Sequence, residues 1–187
     1  TRAARQTILQ ETDWRVEDVQ ALAHSQYSPD EIDAAIASGS FQTHGMLIVP
    51  CSIKTLSAVA NCYSVDLITR AADVTLKEGR PLVLAVRETP QHAGHLRLMR
   101  LAVEAGAIIF PPVPAFYARP QTVEEMVDNL VGRMLARIGI ENEDENPPAG
   151  QKIDPELPNK IRKRIAELTV NVATDVRIIV SENGGEF

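Results

Sequence analysis

The chain has 187 residues and a formal net charge of −6, from 19 basic and 25 acidic side chains. This length suits one domain with a sizeable core, and the acidic balance excludes a basic footprint for DNA or RNA. No apolar run approaches the ~20 residues of a membrane span, and no signal peptide is visible, so no membrane partner is expected.

The first 40 residues have the pattern of short helices and turns. Residues 2–9 and 16–23 have helical spacing. The segment 28–31 has the residue order of a helix start, because a Ser cap is followed by Pro and two acids. We therefore predict a third helix from Ser28, followed by a loop at 38–40.

Three apolar runs predict the strands of a buried sheet. They are residues 46–49, 81–86 and 107–110, each with proline or glycine at one end or both. Helical patterns lie between and after them, at 52 onward, 65–78, 91–105 and 122–138. Strands that alternate with helices of this length predict an α/β fold, with three layers and a mainly parallel sheet.

The composition changes after about residue 140. We assign residues 1–140 to the domain and the acidic segment 141–152, which holds a proline pair, to a linker. Residues 153–187 form a tail with no assigned role. Within it, the pattern predicts a basic amphipathic helix near 161–168 and a strand at 176–180.

Polar side chains follow each predicted strand, and ligands bind at the carboxyl ends of parallel strands. Ser52 and Thr55 open a helix whose first N–H groups attract anions, although the same residues also suit an ordinary capped helix. Arg87 and Glu88 face either a ligand or solvent at the rim of the sheet. Tyr117 follows prolines that stiffen its loop, so it is either a ligand wall or an exposed neighbour of packed residues.

Three further cations have two interpretations each. Arg70 lies in an apolar helix with Asp73 one turn later, so it is either a ligand contact or half of an intrahelical ion pair. Lys77 lies in the last turn of that helix, where the helix dipole favours a lysine in any case. Arg133 lies among apolar residues of the last helix, and a snorkelling surface arginine is the simpler reading.

Metal and nucleophile chemistry have little support in the sequence. His92 and His95 are one turn apart, but no third ligand is evident, so no metal site is predicted. Cys51 follows a buried strand and reads as a packed thiol. Because Cys51 and Cys62 are not in a C-x-x-C arrangement, we expect free thiols and a cytoplasmic location.

Several of these segments together closely resemble the UbiX-type flavin prenyltransferases, in unbroken order over residues 1–140. The matching segments are 3–7, 37–40, 45–55, 67–74, 76–78, 86–90, 95–99 and 111–120. The resemblance implies a flavodoxin-like or Rossmann-like fold, usually in a dodecamer with sites at subunit junctions. It also implies that dimethylallyl monophosphate alkylates reduced FMN at N5 and then at C6, without a metal. The prenylated FMN then serves a UbiD-type decarboxylase.

The resemblance implies roles for individual residues. The family's FMN contacts correspond to Thr1, Ser52, Ile53, Lys54, Thr55 and Arg87. Its contacts to the prenyl phosphate correspond to Tyr117 and Arg133, its acid–base carboxylate to Glu88, a phosphate-side lysine to Lys77 and a further site arginine to Arg70. A monophosphate is a poor leaving group, so cations and a phenol are suited to stabilising its departure.

Two features depart from the family. Its members begin with a strand and a glycine-rich loop that cradles the FMN phosphate, and they end in a short Trp-bearing segment. Neither is found in this sequence. Alternatives therefore stay open: a non-catalytic FMN-binding or assembly module, a truncated remnant, or a relative of the flavin-dependent cysteine decarboxylases. The last alternative fits Arg87, Glu88 and Tyr117 less well than prenyl transfer does.

Overall fold

The computed structural model of the chain describes residues 2–140 and 176–180. The helices in this part are α1 (Arg2–Glu11), α2 (Val16–Gln20), α3 (Ile53–Ala60), α4 (Leu67–Lys77), α5 (Ala93–Glu104) and α6 (Val123–Ala136). The strands are β1 (Gly45–Cys51), β2 (Leu82–Val86), β3 (Ile108–Ile109) and β4 (Val176–Val180). Thr1, the predicted linker at 141–152 and the predicted helix at 161–168 lie outside the described residues.

The four strands form one sheet in the order β3-β2-β1-β4. β1, β2 and β3 run parallel, and β4 pairs with β1 in the antiparallel direction. The mainly parallel sheet and the strand at 176–180 are thus confirmed. β1 continues past Pro50, where the sequence predicts its end. The register with β2 shifts between Ile48 and Cys51, and such an irregularity tolerates a residue that has no N–H to donate.

The sheet is covered on both faces, which confirms the three-layer prediction. Successive residues of β1 and β2 alternate between two apolar clusters, as the two-residue period of a strand requires. One cluster packs against α3, α4 and α5 and includes Met46, Ile48, Leu82 and Leu84. The other packs against α6 and includes Leu47, Val49, Val83, Ala85, Val131 and Met134.

Most predicted helix ends are confirmed by their caps. Ser52 caps α3 and Thr122 caps α6, each through a hydroxyl that accepts a backbone N–H three residues later. Asp66 caps α4 in a capping box. Gly79 and Gly106, with φ of +69° and +101°, follow α4 and α5 in the left-handed conformation that ends a helix.

The predicted helix after Ser28 is wrong. The segment forms turns, in which the Ser28 N–H donates to the Glu31 carboxylate at 3.1 Å. In a helix the Pro29 carbonyl would accept from residue 33. Here it accepts the Leu67 N–H at the start of α4, at 2.8 Å. The start signals are present, but the contact with α4 occupies the Pro29 carbonyl, which a helix would need for its own hydrogen bonds.

The two amino-terminal helices pack mainly on each other. α1 ends at Glu11, two residues beyond its predicted end, and α2 ends at Gln20, three residues before its own. Ile8 and Val16 are buried in a small cluster separate from the two main ones. Among the described residues, no helix combines the length and apolar character needed to cross a membrane.

Candidate functional site

The carboxyl ends of β1, β2 and β3 share one edge of the sheet, because these strands run parallel. We call residues 52–55, 87–91 and 111–119, which follow the three strands, the carboxyl edge. The Arg87 N–H donates to the Cys51 carbonyl at 3.2 Å. The loops that leave β1 and β2 are therefore bonded to each other, and the structure brings Ser52 and Arg87 to neighbouring positions.

The first turn of α3 presents hydrogen-bonding groups at this edge. The Ser52 hydroxyl is exposed and accepts the Thr55 N–H at 3.2 Å, and the two hydroxyl oxygens are 3.1 Å apart. Thr55 is buried, whereas Lys54 is exposed and Ile53 half-buried. The first N–H groups of a helix have no backbone acceptor within it, so this turn combines hydrogen-bond donors with the positive end of the helix dipole.

Arg87 and Glu88 come directly after the five buried residues of β2, and both are exposed. The Gln91 side-chain amide donates to the Glu88 carbonyl at 3.3 Å, which holds the turn. Within the part of the chain that the structure describes, the Glu88 carboxylate makes no hydrogen bond or ion pair. It is thus available to a bound molecule at the rim.

Beyond β3, two aromatic residues extend into solvent. Tyr117 is 82% exposed and Phe116 is 71% exposed, so neither belongs to the core. Arg133 reaches the same strand from α6. Its guanidinium carbon lies 5.7 Å from the ring centroid of Phe110, the residue that follows β3. Arg133 is half-buried, so its stem packs on apolar surface while its guanidinium lies over Phe110.

Lys77 lies at the opposite end of the sheet, which we call the amino edge and define as residues 37–45 and 77–81. Its ammonium group pairs with Glu78 at 3.1 Å, and the Pro81 carbonyl accepts the Met46 N–H at the start of β1. β1 has seven residues and therefore spans about 20 Å. One chain alone does not bring Lys77 to Arg87 and Glu88.

Arg70, His92 and His95 have partners close to them in the chain. Arg70 and Asp73 form an intrahelical ion pair at 3.5 Å, in the first half of α4. His92 caps α5 by accepting the Gly94 N–H at 3.0 Å, and its ring centroid is 3.7 Å from that of His95. No group of three potential metal ligands occurs among residues 2–140 and 176–180.

Two residues near the predicted site were not foreseen from the sequence. Phe110 reads as the end of an apolar strand, and only the fold places it under Arg133. Asn129 lies one turn before Arg133 on α6, and its buried Oδ1 has no donor within the described residues. The four-residue spacing from Arg133 is the signal that was present in the sequence.

Comparison with known proteins identifies the relatives of this chain. The family model described as Flavoprotein matches residues 1–135. The flavin prenyltransferase UbiX of Escherichia coli K12 is 57% identical over 140 residues, which cover 75% of this chain and 74% of that relative.

Two solved structures are also similar. AnUbiX (PadA1) in complex with FMN and dimethylallyl pyrophosphate has a TM-score of 0.75 and 45% identity, covering 81% of each chain. The dodecameric FMN-dependent Ubix-like decarboxylase of Escherichia coli O157:H7 has a TM-score of 0.74 and 43% identity, covering 80% of this chain and 81% of that one. The flavodoxin-like fold and the resemblance drawn from the sequence are confirmed.

Proposed function

We propose, from the premise that this chain belongs to the flavin prenyltransferases of the Flavoprotein family, that its carboxyl edge holds FMN beside a dimethylallyl phosphate. The chain is a transferase that moves a dimethylallyl group from dimethylallyl monophosphate to reduced FMN. The observation that carries the site assignment is the bond between the Arg87 N–H and the Cys51 carbonyl. It supports one shared site, because it joins the two loops that match the family's FMN contacts.

The donor set at the start of α3 fits the flavin. FMN carries a phosphate, a polyol chain and a ring edge with carbonyl oxygens, all of which accept hydrogen bonds. The Ser52 and Thr55 hydroxyls, the first-turn N–H groups of Ile53 and Lys54, and the Arg87 guanidinium are donors of the matching kind. We assign these residues to FMN binding. Reduced FMN supplies the electron pair to which the allyl carbon becomes bonded.

Tyr117 and Arg133 are assigned to the phosphate of the second substrate. As the bond between the allyl carbon and the phosphate oxygen breaks, the phosphate keeps the electron pair and gains negative charge. A phenol O–H and a guanidinium oriented at that position stabilise the transition state more than the ground state. The exposed Tyr117 hydroxyl supports this role, since it is accessible to a ligand without rearrangement of the core.

Glu88 is assigned to proton transfer. Closing a ring onto an aromatic carbon releases a proton, which needs an acceptor held within hydrogen-bond reach. The Glu88 carboxylate stands beside Arg87 at the end of β2, on a turn fixed by Gln91. Its position next to Arg87, which is assigned to FMN binding, supports a place for this carboxylate near the reacting ring.

Lys77 is assigned to the site of a neighbouring subunit, and Arg70 is assigned to the phosphate side of the site as a further cation. Lys77 lies about 20 Å along the sheet from the carboxyl edge of its own chain, the length of β1. A site completed by a second copy resolves this separation, and a dodecameric relative supports such an assembly for this chain. The proposal keeps both cations near the phosphate and supplies Lys77 from another molecule.

Mixing two inactive variants tests the shared site. The full-length protein with Glu88→Gln and the one with Lys77→Met are unfolded together and reassembled. Hybrid assemblies should regain activity, because some sites receive Glu88 and Lys77 from different intact sources. An assembly made from the double variant carries both changes in every chain and is the control. No gain over that control would contradict the assignment of Lys77 to a neighbouring site.

We further propose a partner and a location. The product is a modified flavin with no evident use in this protein, so an enzyme that consumes it must follow, and the family resemblance points to a UbiD-type decarboxylase. The free thiols of Cys51 and Cys62 support the cytoplasm as the location. Adding the product to the isolated apo-decarboxylase should restore decarboxylation, whereas unmodified FMN should not.

The reaction itself is tested with the full-length protein, FMN, a reductant and dimethylallyl monophosphate. We expect a time-dependent change in the flavin spectrum that requires all three components. A parallel titration with FMN measures binding separately. Tight FMN binding without the spectral change would favour a non-catalytic flavin-binding module, and it would contradict the transferase assignment for this chain.

A further inference from the structure

Arg133 has hydrogen-bonding capacity that the fold does not use. Its guanidinium lies over the face of Phe110, with 5.7 Å between the guanidinium carbon and the ring centroid. Stacking of this kind occupies the flat face of the group and leaves the N–H donors at its edge. Within residues 2–140 and 176–180, the guanidinium makes no hydrogen bond or ion pair.

Asn129 has an acceptor that lacks a donor, whereas Arg133 has donors that lack an acceptor. Its side-chain oxygen is buried and meets no donor in the described part of the chain. An acceptor left in this state is costly, so buried polar groups in proteins are nearly always paired. Asn129 precedes Arg133 by four residues of α6, and side chains at this spacing are neighbours on one helix face.

We propose that Asn129 is a positioning residue for Arg133, whose guanidinium donates to the Asn129 Oδ1 when the substrate phosphate is bound. This inference rests on the proposed role of Arg133 in binding that phosphate. Phe110 then fixes the plane of the guanidinium, Asn129 holds one edge, and the remaining donors face the phosphate. The buried amide oxygen gains its donor in the bound state.

A neutral acceptor suits this position better than a charged one. The neighbouring residues Leu130 and Met134 are buried and apolar, and a hydrogen bond beside them is poorly screened by water. A carboxylate at 129 would pair with the guanidinium and compete with the phosphate for the same charge. An amide orients the cation without neutralising it.

The test compares six forms of the full-length protein: the unchanged chain, Asn129→Leu, Asn129→Asp, Arg133→Met, the double variant Asn129→Leu/Arg133→Met and the control Arg137→Met. For Asn129→Leu we expect kcat/KM for dimethylallyl monophosphate to fall about tenfold, with the Kd for FMN unchanged. In the Arg133→Met background the same change should have no further effect, since the two residues act as one unit. Arg137→Met, at an exposed arginine one turn later, is the matched control and should leave kcat/KM unchanged.

Each other outcome is decisive. An equal loss from Asn129→Leu in both backgrounds, or no loss at all, overturns the positioning role while the role of Arg133 stands. A normal kcat/KM for Arg133→Met removes the phosphate assignment itself. Should Asn129→Leu fail to fold, Asn129→Asp keeps the side-chain shape. It should weaken inhibition by inorganic phosphate about tenfold, and unchanged inhibition would count against the inference.

Discussion

The two edges of the sheet use their charged residues in opposite ways. At the amino edge, the Arg80 guanidinium donates to the carbonyls of Gly39 and Phe41, each at 2.6 Å. A side chain at Gly39 would overlap the Glu78 carboxylate, so this loop packs directly on the end of α4. At the amino edge, the Arg80 side chain therefore stabilises the fold by bonding the loop before β1 to the end of α4.

At the carboxyl edge, charged and phenolic groups face outward. Within the described residues, the side chains of Glu88 and Tyr117 make no hydrogen bond or ion pair. Such groups contribute little to folding, and their place after buried strands agrees with the ligand roles proposed for them. The comparison predicts that substitutions of Glu88 and Tyr117 at the carboxyl edge reduce activity without reducing stability, and that substitution of Arg80 at the amino edge does the reverse.

The largest expected effect is that of Glu88→Gln. Removing a general base costs about 10²- to 10⁴-fold in rate, and an amide of the same shape keeps the turn intact. We expect the rate of flavin prenylation to fall by that factor, measured from the flavin spectrum under saturating substrates. The free energy of unfolding and the Kd for FMN should not change.

Glu104→Gln provides the control for this change. Glu104 is an exposed glutamate at the end of α5, paired with Arg100 at 3.6 Å. Its substitution should leave the prenylation rate unchanged. If Glu88→Gln and Glu104→Gln had the same rate, the carboxyl edge would lose its main catalytic assignment and the contrast between the edges would fail.

The next effect concerns stability at the amino edge. Arg80→Met removes two short hydrogen bonds from a charged donor and leaves two carbonyls without it, at a cost of about 3 kcal/mol in the free energy of unfolding. Activity per folded molecule should be unchanged. Urea denaturation followed by circular dichroism measures the first quantity, with Arg97→Met, at an exposed arginine of α5, as the control.

A stable Arg80→Met variant with reduced activity would contradict the comparison, because Arg80 would then serve catalysis and not the stability of the fold. A loss in both quantities would also fail to separate the edges. Only reduced stability with normal specific activity agrees with the hydrogen bonds at Gly39 and Phe41.

Much of this contrast was available from the sequence, and the rest depends on tertiary contacts. The strands of the core follow from local signals, such as the apolar run that ends β2 directly before Arg87. The turns after Ser28 do not, because the helix there is prevented by a bond from Leu67, 38 positions beyond Pro29 in the chain. Arg80 and Asn129 were missed for the same reason. Their significance depends on which distant backbone or buried surface they meet.

Tyr117→Phe is expected to have a smaller effect on activity. It removes one hydroxyl that makes no bond within the described residues, so the free energy of unfolding should change by less than about 0.5 kcal/mol. If the hydroxyl donates to the phosphate, kcat/KM for dimethylallyl monophosphate should fall about tenfold, as for the loss of one bond to a charged group. Tyr63→Phe, at another exposed tyrosine, is the control.

The smallest expected effect is on the free energy of unfolding, at a helix cap that lies outside both edges. Asp66 caps α4 by accepting the Thr69 N–H at 2.9 Å, and Asp66→Ala should lower the free energy of unfolding by about 1 kcal/mol. Asp66→Asn should restore most of that loss, because asparagine caps helices equally well. Asp33→Ala, at an exposed acid outside any helix, should have no effect.

Asp66 caps the start of α4, and Lys77 is the last residue of the same helix. If the helix unfolds after the cap is removed, Lys77 loses its position. If Lys77 acts in a neighbouring subunit, activity of the Asp66→Ala protein should fall only when the helix itself unfolds. Melting curves followed by circular dichroism and by activity should then coincide. Activity lost at a lower temperature than helix content would show that the position of Lys77 depends on the cap, and that the amino edge contributes to catalysis through the order of α4.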